Sequence, residues 1–262
     1  MTLLAGLLAG HADSVPAATG TAAPAAASVA ALINASAPRD DLLGGQFCGG
    51  VLVAQRLVLT AAHCVTGRRT GSVDVVVGAE NLCRNAPIEG QPLHVRSVVL
   101  HPDIDGANVD AALLILDGKA RATPVRIPTS TATDTPASGT AFGWGRDGYG
   151  GVQPCHRQAV PLRFIPSGRC AQAQRNLGLV PHPAWQLCAI PASAATRNTC
   201  TGDSGGPVLG HNLPATFIGL VSWGPSCRVD DVGVYVRPAA LLPWVTAVGQ
   251  QADRAGATSV RR

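Results

Sequence analysis

Hydrophobic and polar positions along this chain alternate in short runs, which is typical of many brief strands joined by turns. Val29–Asn34, Leu57–Thr60 and Val73–Val77 are clear examples of apolar runs rich in valine, leucine and isoleucine. β-Branched residues favour extended backbone, and the glycine, proline and aspartate residues between the runs favour turns. The pattern therefore predicts an all-β domain over residues 29–251.

Twelve strands are predicted, in two sets of six. The first set is Val29–Asn34, Gly50–Val53, Leu57–Thr60, Val73–Val77, Val95–Leu100 and Ala111–Leu116. The second set is Thr140–Trp144, His156–Phe164, Gln186–Ala189, Pro207–Leu209, Thr216–Trp223 and Gly233–Val236. Two such sets indicate two β-barrels, the first over about 29–125 and the second over about 133–237.

The two ends of the chain depart from this pattern. After Arg237, apolar residues recur three and four apart, which predicts a closing helix over 238–251 and a flexible tail over 252–262. Residues 12–28 are rich in alanine, proline, serine and threonine, which indicates a linker or pro-segment. Residues 1–11 carry a short apolar stretch that fits a truncated signal segment, although no basic residue precedes it.

Composition narrows the classes of function. The 262 residues carry a net charge of +4, and the basic residues are scattered rather than clustered, so we expect no nucleic-acid partner. No apolar run reaches the roughly 20 residues that span a bilayer, so we expect no membrane association. The eight cysteines include no C-x-x-C pair, which favours disulfides over a zinc site and predicts a secreted, extracellular protein. We expect no cofactor and no metal.

Three residues in separate segments carry candidate chemistry. Ser204 stands between Asp203 and two glycines, where the backbone can turn sharply. A serine hydroxyl becomes a nucleophile only beside a base, usually a histidine held by a carboxylate. His63 follows a predicted strand, and Asp110 stands at the start of another. Singly, each has an ordinary structural interpretation, but the chain order His, Asp, Ser excludes the subtilisin and α/β-hydrolase orders.

The segments around these residues resemble the chymotrypsin-like (trypsin family) serine proteases, and the chain is similar to a secreted bacterial member. The six matching segments are Phe47–Gly50, Leu59–Cys64, Val109–Leu116, Ala141–Gly145, Cys200–Pro207 and Val221–Gly224. The resemblance implies that Ser204 attacks the scissile carbonyl, His63 acts as general base and acid, and Asp110 fixes the tautomer of His63. It also implies an all-β fold of two six-stranded antiparallel Greek-key β-barrels with a C-terminal helix, and an oxyanion hole formed by the N–H groups of Gly202 and Ser204.

In this family a zymogen is cleaved, and the new N-terminal amine pairs with the aspartate that precedes the nucleophile, here Asp203. No Ile-Val-Gly-Gly-like sequence stands where the family would place it. The segment Arg39–Gly45 offers a lookalike, but cleavage there would remove the first predicted strand, so we interpret it as a loop. If nothing supplies the amine, Asp203 needs another cation, and arginine is abundant enough to provide one.

The resemblance places Asn198 at the floor of the primary specificity pocket, where trypsin-like enzymes carry an aspartate. An amide cannot neutralise a buried guanidinium, so the pocket is expected to favour large uncharged or aromatic P1 side chains over arginine or lysine. The other pocket residues implied by the resemblance are Thr199, Thr201, Ser222, Trp223, Gly224 and Gly233. Asp230 and Asp231 lie on a nearby loop and offer the alternative, which is cleavage after basic residues.

The resemblance also implies three disulfides, Cys48–Cys64, Cys170–Cys188 and Cys200–Cys227. Cys83 and Cys155 lie outside that common set, and we expect a fourth bridge, with two free thiols as the alternative. The implied function is a secreted serine endopeptidase, expected to be monomeric, that acts on polypeptide substrates and meets protein inhibitors. A non-catalytic protease-like binding domain and an esterase that uses the same triad are the alternatives.

Overall fold

A computed structural model describes residues 26–104, 109–129, 136–210 and 216–259. The strands of the first half are β1 (Val29–Asn34), β2 (Gln46–Ala54), β3 (Leu57–Thr60), β4 (Val73–Val77), β5 (Gln91–Leu100) and β6 (Ala112–Leu116). Those of the second half are β7 (Ser138–Gly143), β8 (Gln158–Ile165), β9 (Gln186–Pro191), β10 (Pro207–Leu209), β11 (Phe217–Trp223) and β12 (Gly233–Val236). The helices are α1 (Leu42–Gly45), α2 (Ser167–Asn176) and α3 (Pro238–Ser259), with a 3-10 turn at Ala62–Cys64.

Each set of six strands closes into an antiparallel barrel, which confirms the predicted fold class. The first barrel has the order β1-β2-β3-β6-β5-β4, and β4 closes it by pairing with β1. The second repeats this order as β7-β8-β9-β12-β11-β10, and β10 closes it by pairing with β7. Closure leaves neither sheet with an exposed edge.

Strand β6 shows how one apolar run serves two cores. Leu114 and Leu116 point into the first barrel, whereas Leu113 and Ile115 belong to a core that the two barrels share with α3. Successive side chains of a strand point to opposite faces, so both sets are buried. This explains why all five residues of β6 are buried and why the run reads as continuously hydrophobic.

The ends of the domain differ from the prediction. Helix α3 continues to Ser259, well beyond the predicted end at residue 251, because Ala252 extends the buried stripe of Leu241, Val245 and Val248 by a further turn. The predicted flexible tail of 252–262 is therefore helical as far as Ser259. Residues 260–262 lie outside the described residues.

The predicted linker of 12–28 also contains ordered residues. Ser28 is buried and its carbonyl accepts a hydrogen bond from Leu52 N at 2.8 Å. Ala26 is buried as well, and its carbonyl accepts from Arg157 Nη1 at 2.8 Å. These hydrogen bonds hold the residues just before β1 against the domain. The predicted signal segment of 1–11 and the linker residues 12–25 lie outside the described residues.

All eight cysteines pair in four disulfides: Cys48–Cys64, Cys83–Cys155, Cys170–Cys188 and Cys200–Cys227. Cys83 follows β4 and Cys155 precedes β8, so the second of these bridges joins the two barrels. The barrels also touch backbone to backbone. Gly49 N donates to the Ser204 carbonyl at 2.7 Å, and a Cβ added at Gly49 would lie 2.9 Å from Gly206 Cα.

Candidate active site

An open cleft of about 1250 Å³ lies along the seam between the two barrels. His63 and Asp110 line it from the first barrel, and Ser204 lines it from the second. The 3-10 turn after β3 carries His63, the segment just before β6 carries Asp110, and the loop before β10 carries Ser204. The structure therefore brings the three predicted catalytic residues to one surface, although they are far apart in the sequence.

His63 and Asp110 are joined by two direct hydrogen bonds in this cleft. His63 Nδ1 lies 2.8 Å from Asp110 Oδ2, and the backbone N–H of His63 donates to Asp110 Oδ1 at 2.9 Å. Ser222 Oγ donates to Asp110 Oδ2 at 2.6 Å, so the carboxylate receives hydrogen bonds from both barrels. The imidazole remains accessible, because 49% of the His63 side chain is exposed.

These contacts change the pKa values of both groups. The hydrogen bond that His63 donates to Asp110 raises the pKa of His63 above its ordinary value, against the opposing effect of burial. Burial acts to raise the pKa of Asp110, but the hydrogen bonds from His63 and Ser222 outweigh it and lower that pKa. Asp110 is therefore a carboxylate at neutral pH, and His63 titrates above the usual range of a histidine.

Gly202 adopts a conformation that favours glycine, with φ +100°. The preceding carbonyl, that of Thr201, accepts a hydrogen bond from Arg146 N at 2.9 Å. A trans peptide places its N–H opposite its carbonyl, so the N–H of Gly202 points away from Arg146. Across the seam, Gln46 Nε2 donates to the Gly202 carbonyl at 3.0 Å and fixes the next peptide of the turn.

The N–H of Ser204 is oriented in the same way. The carbonyl of Asp203 accepts from Gly206 N at 2.9 Å, which leaves the Ser204 N–H on the opposite side of that peptide. Gly202 and Ser204 both line the cleft. Two backbone donors in this arrangement suit an oxygen that gains negative charge.

The carboxylate of Asp203 points into the protein, and 2% of the residue is exposed. Arg197 Nη1 lies 2.7 Å from Asp203 Oδ2. The arginine therefore supplies the cation that we expected in place of the N-terminal amine. Gly145 N and Cys200 N also donate to this carboxylate, at 2.8 and 3.0 Å. No feature of the sequence singled out Arg197 for this position.

Asn198 lies behind the pocket with every polar atom of its amide in use. It is 2% exposed, and its Nδ2 donates to the carbonyls of Arg228 and Asp231 at 2.9 and 3.0 Å. Its Oδ1 accepts from Thr199 N at 2.8 Å. The amide therefore anchors the loop around residues 228–231, a role that the sequence did not indicate.

The wall of the pocket is formed by Thr199, Thr201, Ser222, Trp223 and Gly224, all of which line the cleft. Thr199 Oγ1 and the buried hydroxyl of Tyr235 share a hydrogen bond of 2.9 Å.

Gly233 packs on the Tyr235 ring, and a Cβ added there would lie 2.8 Å from the Tyr235 hydroxyl oxygen. Burial raises the pKa of Tyr235, so its hydroxyl stays neutral. The groups directly behind Thr199 are thus uncharged: the Asn198 amide and the Tyr235 hydroxyl.

Asp230 and Asp231 are both engaged within their own loop. Asp230 Oδ1 pairs with Arg228 Nε at 3.1 Å, and 68% of its side chain is exposed. Asp231 Oδ2 accepts from Ser226 Oγ at 2.5 Å and from Arg228 N at 3.0 Å. Neither aspartate is among the residues that line the cleft.

Comparison with known proteins shows which protein family this chain is similar to. The family model described as Trypsin matches residues 19–245. A protein named Trypsin from Saccharopolyspora erythraea is 34% identical over 205 residues, which cover 75% of this chain and 84% of that protein. Trypsin iota of Drosophila melanogaster is 32% identical over 209 residues, which cover 76% and 77%. Glucanase inhibitor protein 3 of Phytophthora infestans is 30% identical over 219 residues, which cover 80% and 81%.

Two closed barrels with a catalytic cleft along their seam define a chymotrypsin-like hydrolase. The chain belongs to the trypsin family, and it is a serine endopeptidase that acts on polypeptides. Among the described residues, no helix has the length and apolar character needed to cross a membrane.

Proposed function

We propose that this protein cleaves peptide bonds through an acyl-enzyme on Ser204, with His63 as general base and acid and Asp110 as the group that orients His63. The observation that carries the proposal is the 2.8 Å contact between His63 Nδ1 and Asp110 Oδ2 in the cleft that Ser204 also lines. A proton held on Nδ1 by Asp110 leaves the lone pair of Nε2 free to accept the proton of the Ser204 hydroxyl.

The reaction then follows from the geometry. Ser204 Oγ attacks the scissile carbonyl and passes its proton to His63 Nε2, while Asp110 stabilises the imidazolium. The N–H groups of Gly202 and Ser204 stabilise the negative oxygen of the tetrahedral intermediate. His63 then protonates the leaving amine, and a water molecule, deprotonated by the same histidine, hydrolyses the ester on Ser204.

The neutral inner end of the pocket supports a preference for large uncharged or aromatic P1 side chains. The amide of Asn198 is fully hydrogen-bonded, and Thr199 and Tyr235 add only hydroxyl groups. Cleavage after basic residues, assisted by Asp230 and Asp231, is less favoured because Asp230 pairs with Arg228 and Asp231 binds Ser226. Peptide anilides that differ only at P1 test this: kcat/KM should be higher with phenylalanine than with arginine, and the reverse order would support the alternative.

Labelling with a fluorophosphonate probe tests the catalytic proposal, with Ser204→Ala as the matched control. We expect the folded protein to be labelled and the variant to remain unlabelled. Labelling that persists in Ser204→Ala would place the nucleophile elsewhere. Turnover of small esters without turnover of peptides would favour the esterase.

A non-catalytic binding domain is the second candidate, and the relative named as a glucanase inhibitor favours it. Against it stands the retention of His63, Asp110 and Ser204, with the first two in direct contact. A folded protein that resists the probe at all pH values would support the binding function. The four disulfides support secretion into an oxidising compartment, where protein inhibitors are further expected partners.

A further inference from the structure

The carboxylate next to the predicted nucleophile already has a cation from within the chain. Arg197 Nη1 lies 2.7 Å from Asp203 Oδ2, and Arg197 Nη2 lies 3.4 Å from Asp203 Oδ1. The side chain of Asp203 is 3% exposed and that of Arg197 is 17% exposed. A buried carboxylate without a cation strongly destabilises the folded state, so the ion pair between Arg197 and Asp203 stabilises this fold.

The acceptor capacity of this carboxylate is fully used. Each oxygen offers about two lone-pair sites. Oδ1 of Asp203 accepts from Gly145 N at 2.8 Å and from Arg197, and Oδ2 accepts from Cys200 N at 3.0 Å and from Arg197. An ammonium group could reach Asp203 only by displacing one of these donors.

The surroundings fit the carboxylate closely. A Cβ added at Gly143 would lie 2.5 Å from Asp203 Oδ1, and one added at Gly145 would overlap Asp203 Oδ2. The glycines on either side of Trp144 therefore make room for the ion pair. Arg197 Nη1 also donates to the carbonyls of Asn198 and Arg146, at 3.1 and 3.3 Å, so the guanidinium is held in place from several sides.

We propose that Arg197 is the resident cation that positions Asp203, and that it thereby holds the Gly202–Ser204 turn in its donor-ready form without a freed N-terminal amine. Asp203 is the middle residue of this turn, and its carbonyl bond to Gly206 N fixes the peptide that carries the Ser204 N–H. Arg197 is a positioning residue, because it touches neither the substrate nor the reacting atoms. The inference rests on the proposed function of Ser204 as the nucleophile.

Chemical blocking of the amines tests the proposal on the full chain. Lys119 is the only lysine, so Lys119→Arg leaves the α-amine as the sole primary amine. Lys119 is exposed and lies outside the cleft, so its substitution should not change activity. The folded Lys119→Arg protein is treated with acetic anhydride, acetylation is verified by mass spectrometry, and labelling of Ser204 by a fluorophosphonate probe is compared before and after.

We expect full acetylation of the α-amine and unchanged labelling. An amine that resists acetylation in the folded protein, or a loss of labelling after acetylation, would overturn the proposal while the role of Ser204 stands. Labelling that appears only after removal of an N-terminal segment would overturn it in the same way. Absence of labelling in every form would refute the proposed function, and the role of Arg197 would fall with it.

The pH dependence of wild-type activity gives a second readout that needs no variant. An α-amino group loses its charge near pH 8, whereas a guanidinium keeps its charge throughout the range in which proteins fold. Activity should therefore stay level from the end of the His63 titration to about pH 10. A decline centred on the titration of an amine would contradict the proposal.

Substitution of the arginine measures the size of the effect. Arg197→Gln should lower kcat by about 100- to 1,000-fold, the loss typical of one oxyanion donor, with a smaller change in KM. Arg197→Lys keeps the charge without the two-pronged geometry and should recover part of the loss. Arg163→Gln, at an exposed arginine on β8 of the same barrel, is the matched control and should retain the wild-type rate. Equal rates for Arg197→Gln and wild type would overturn the proposal.

Discussion

The two barrels have the same strand order but hold their shares of the active site by different means. In the first barrel, His63 and Asp110 stand next to strands whose residues are almost all buried, and two hydrogen bonds join them directly. In the second barrel, Ser204 lies in a glycine-rich turn that is positioned by a buried ion pair between Arg197 and Asp203. The first barrel relies on strand packing, and the second relies on a few buried polar contacts.

This difference indicates which regions of the molecule are sensitive to amino-acid substitution. Strand packing spreads the support for the base over many apolar residues, so single conservative substitutions there have limited effects. A buried polar contact depends on both partners, and removal of one leaves the other unpaired. Substitutions in the loops of the second barrel should therefore be the ones that change substrate preference and activation. The four predictions below test this comparison.

The largest effect is expected at the direct contact of the first barrel. Asp110→Asn should lower kcat by about 10⁴-fold, the loss typical of this triad, because an amide disfavours the required tautomer of His63. Activity requires neutral His63, so it rises with pH through the pKa of that residue, which Asp110 raises. Removing the carboxylate should shift this rise to lower pH. Profiles of kcat/KM against pH measure both effects.

A matched control exists on the same barrel. His94 Nδ1 lies 2.8 Å from Asp74 Oδ1, with the His94 side chain 72% exposed and the Asp74 side chain 27% exposed. Asp74→Asn should leave both the rate and the pH profile unchanged. If Asp110→Asn behaved like Asp74→Asn, the His63–Asp110 contact would not orient the base.

The second prediction concerns the covalent link between the barrels. Cys83 and Cys155 are 72 residues apart, so replacing both by serine should lower the free energy of unfolding by about 4 kcal/mol in the chain-entropy model. The bridge lies away from the cleft, so kcat should be preserved at temperatures at which the variant is folded. Denaturant unfolding and steady-state kinetics measure these quantities.

The bridge between Cys170 and Cys188 is the comparison, because it lies wholly within the second barrel. Its cysteines are 18 residues apart, so its removal should cost about 3 kcal/mol, less than the link between the barrels. A greater loss of stability from this shorter bridge would show that native contacts outweigh chain entropy.

The third prediction addresses the turn that precedes Ser204. Gly202 has φ +100°, and a Cβ added there would lie 3.1 Å from Gly145 Cα. Gly202→Ala should therefore displace one oxyanion donor and lower kcat by about 100- to 1,000-fold. Gly178→Ala is the control: it also has positive φ, at +74°, but a Cβ there meets nothing within 4 Å. A full rate in Gly202→Ala would exclude the Gly202 N–H as a donor.

The smallest effect is expected behind the pocket. Asn198→Asp replaces the donors to the carbonyls of Arg228 and Asp231 with a carboxylate oxygen, so it should lower the free energy of unfolding by about 1–3 kcal/mol. Asn176→Asp, on the exposed face of α2, should change stability by less than about 0.5 kcal/mol. Equal stabilities for the two variants, measured by calorimetry, would show that the Asn198 bonds do not anchor the loop.

Most strands could be predicted because a short apolar run bounded by turn residues is a local signal. β3, β4 and β12 begin and end where the pattern places them. β5 begins at Gln91 rather than at Val95, because its first residues alternate between partly and fully exposed positions and show no apolar run. Helix α2 was not predicted, because its sequence is largely polar. Within it, a disulfide from Cys170 to β9 takes the place of an apolar stripe.

Parts of the candidate active site could likewise be predicted from the sequence, and other parts could not. The segments around His63, Asp110 and Ser204 could be found because each carries a short, ordered motif. The family resemblance implied that Asp203 needs another cation if no amine is supplied, but the sequence could not select Arg197 among many arginines. That selection depends on how the chain folds back on itself between residues 197 and 203.

The close approach of Gly49 and Gly206 affects how the molecule tolerates amino-acid replacement. Neither residue takes part in the chemistry, yet any side chain at Gly49 would separate the backbones that join the barrels. In a comprehensive substitution library scored for catalysis alone, replacements of these glycines would therefore lose as much activity as replacements of His63. Scoring the same library for the abundance of folded protein would separate them: replacements of His63 would keep their abundance, and replacements of Gly49 would lose it.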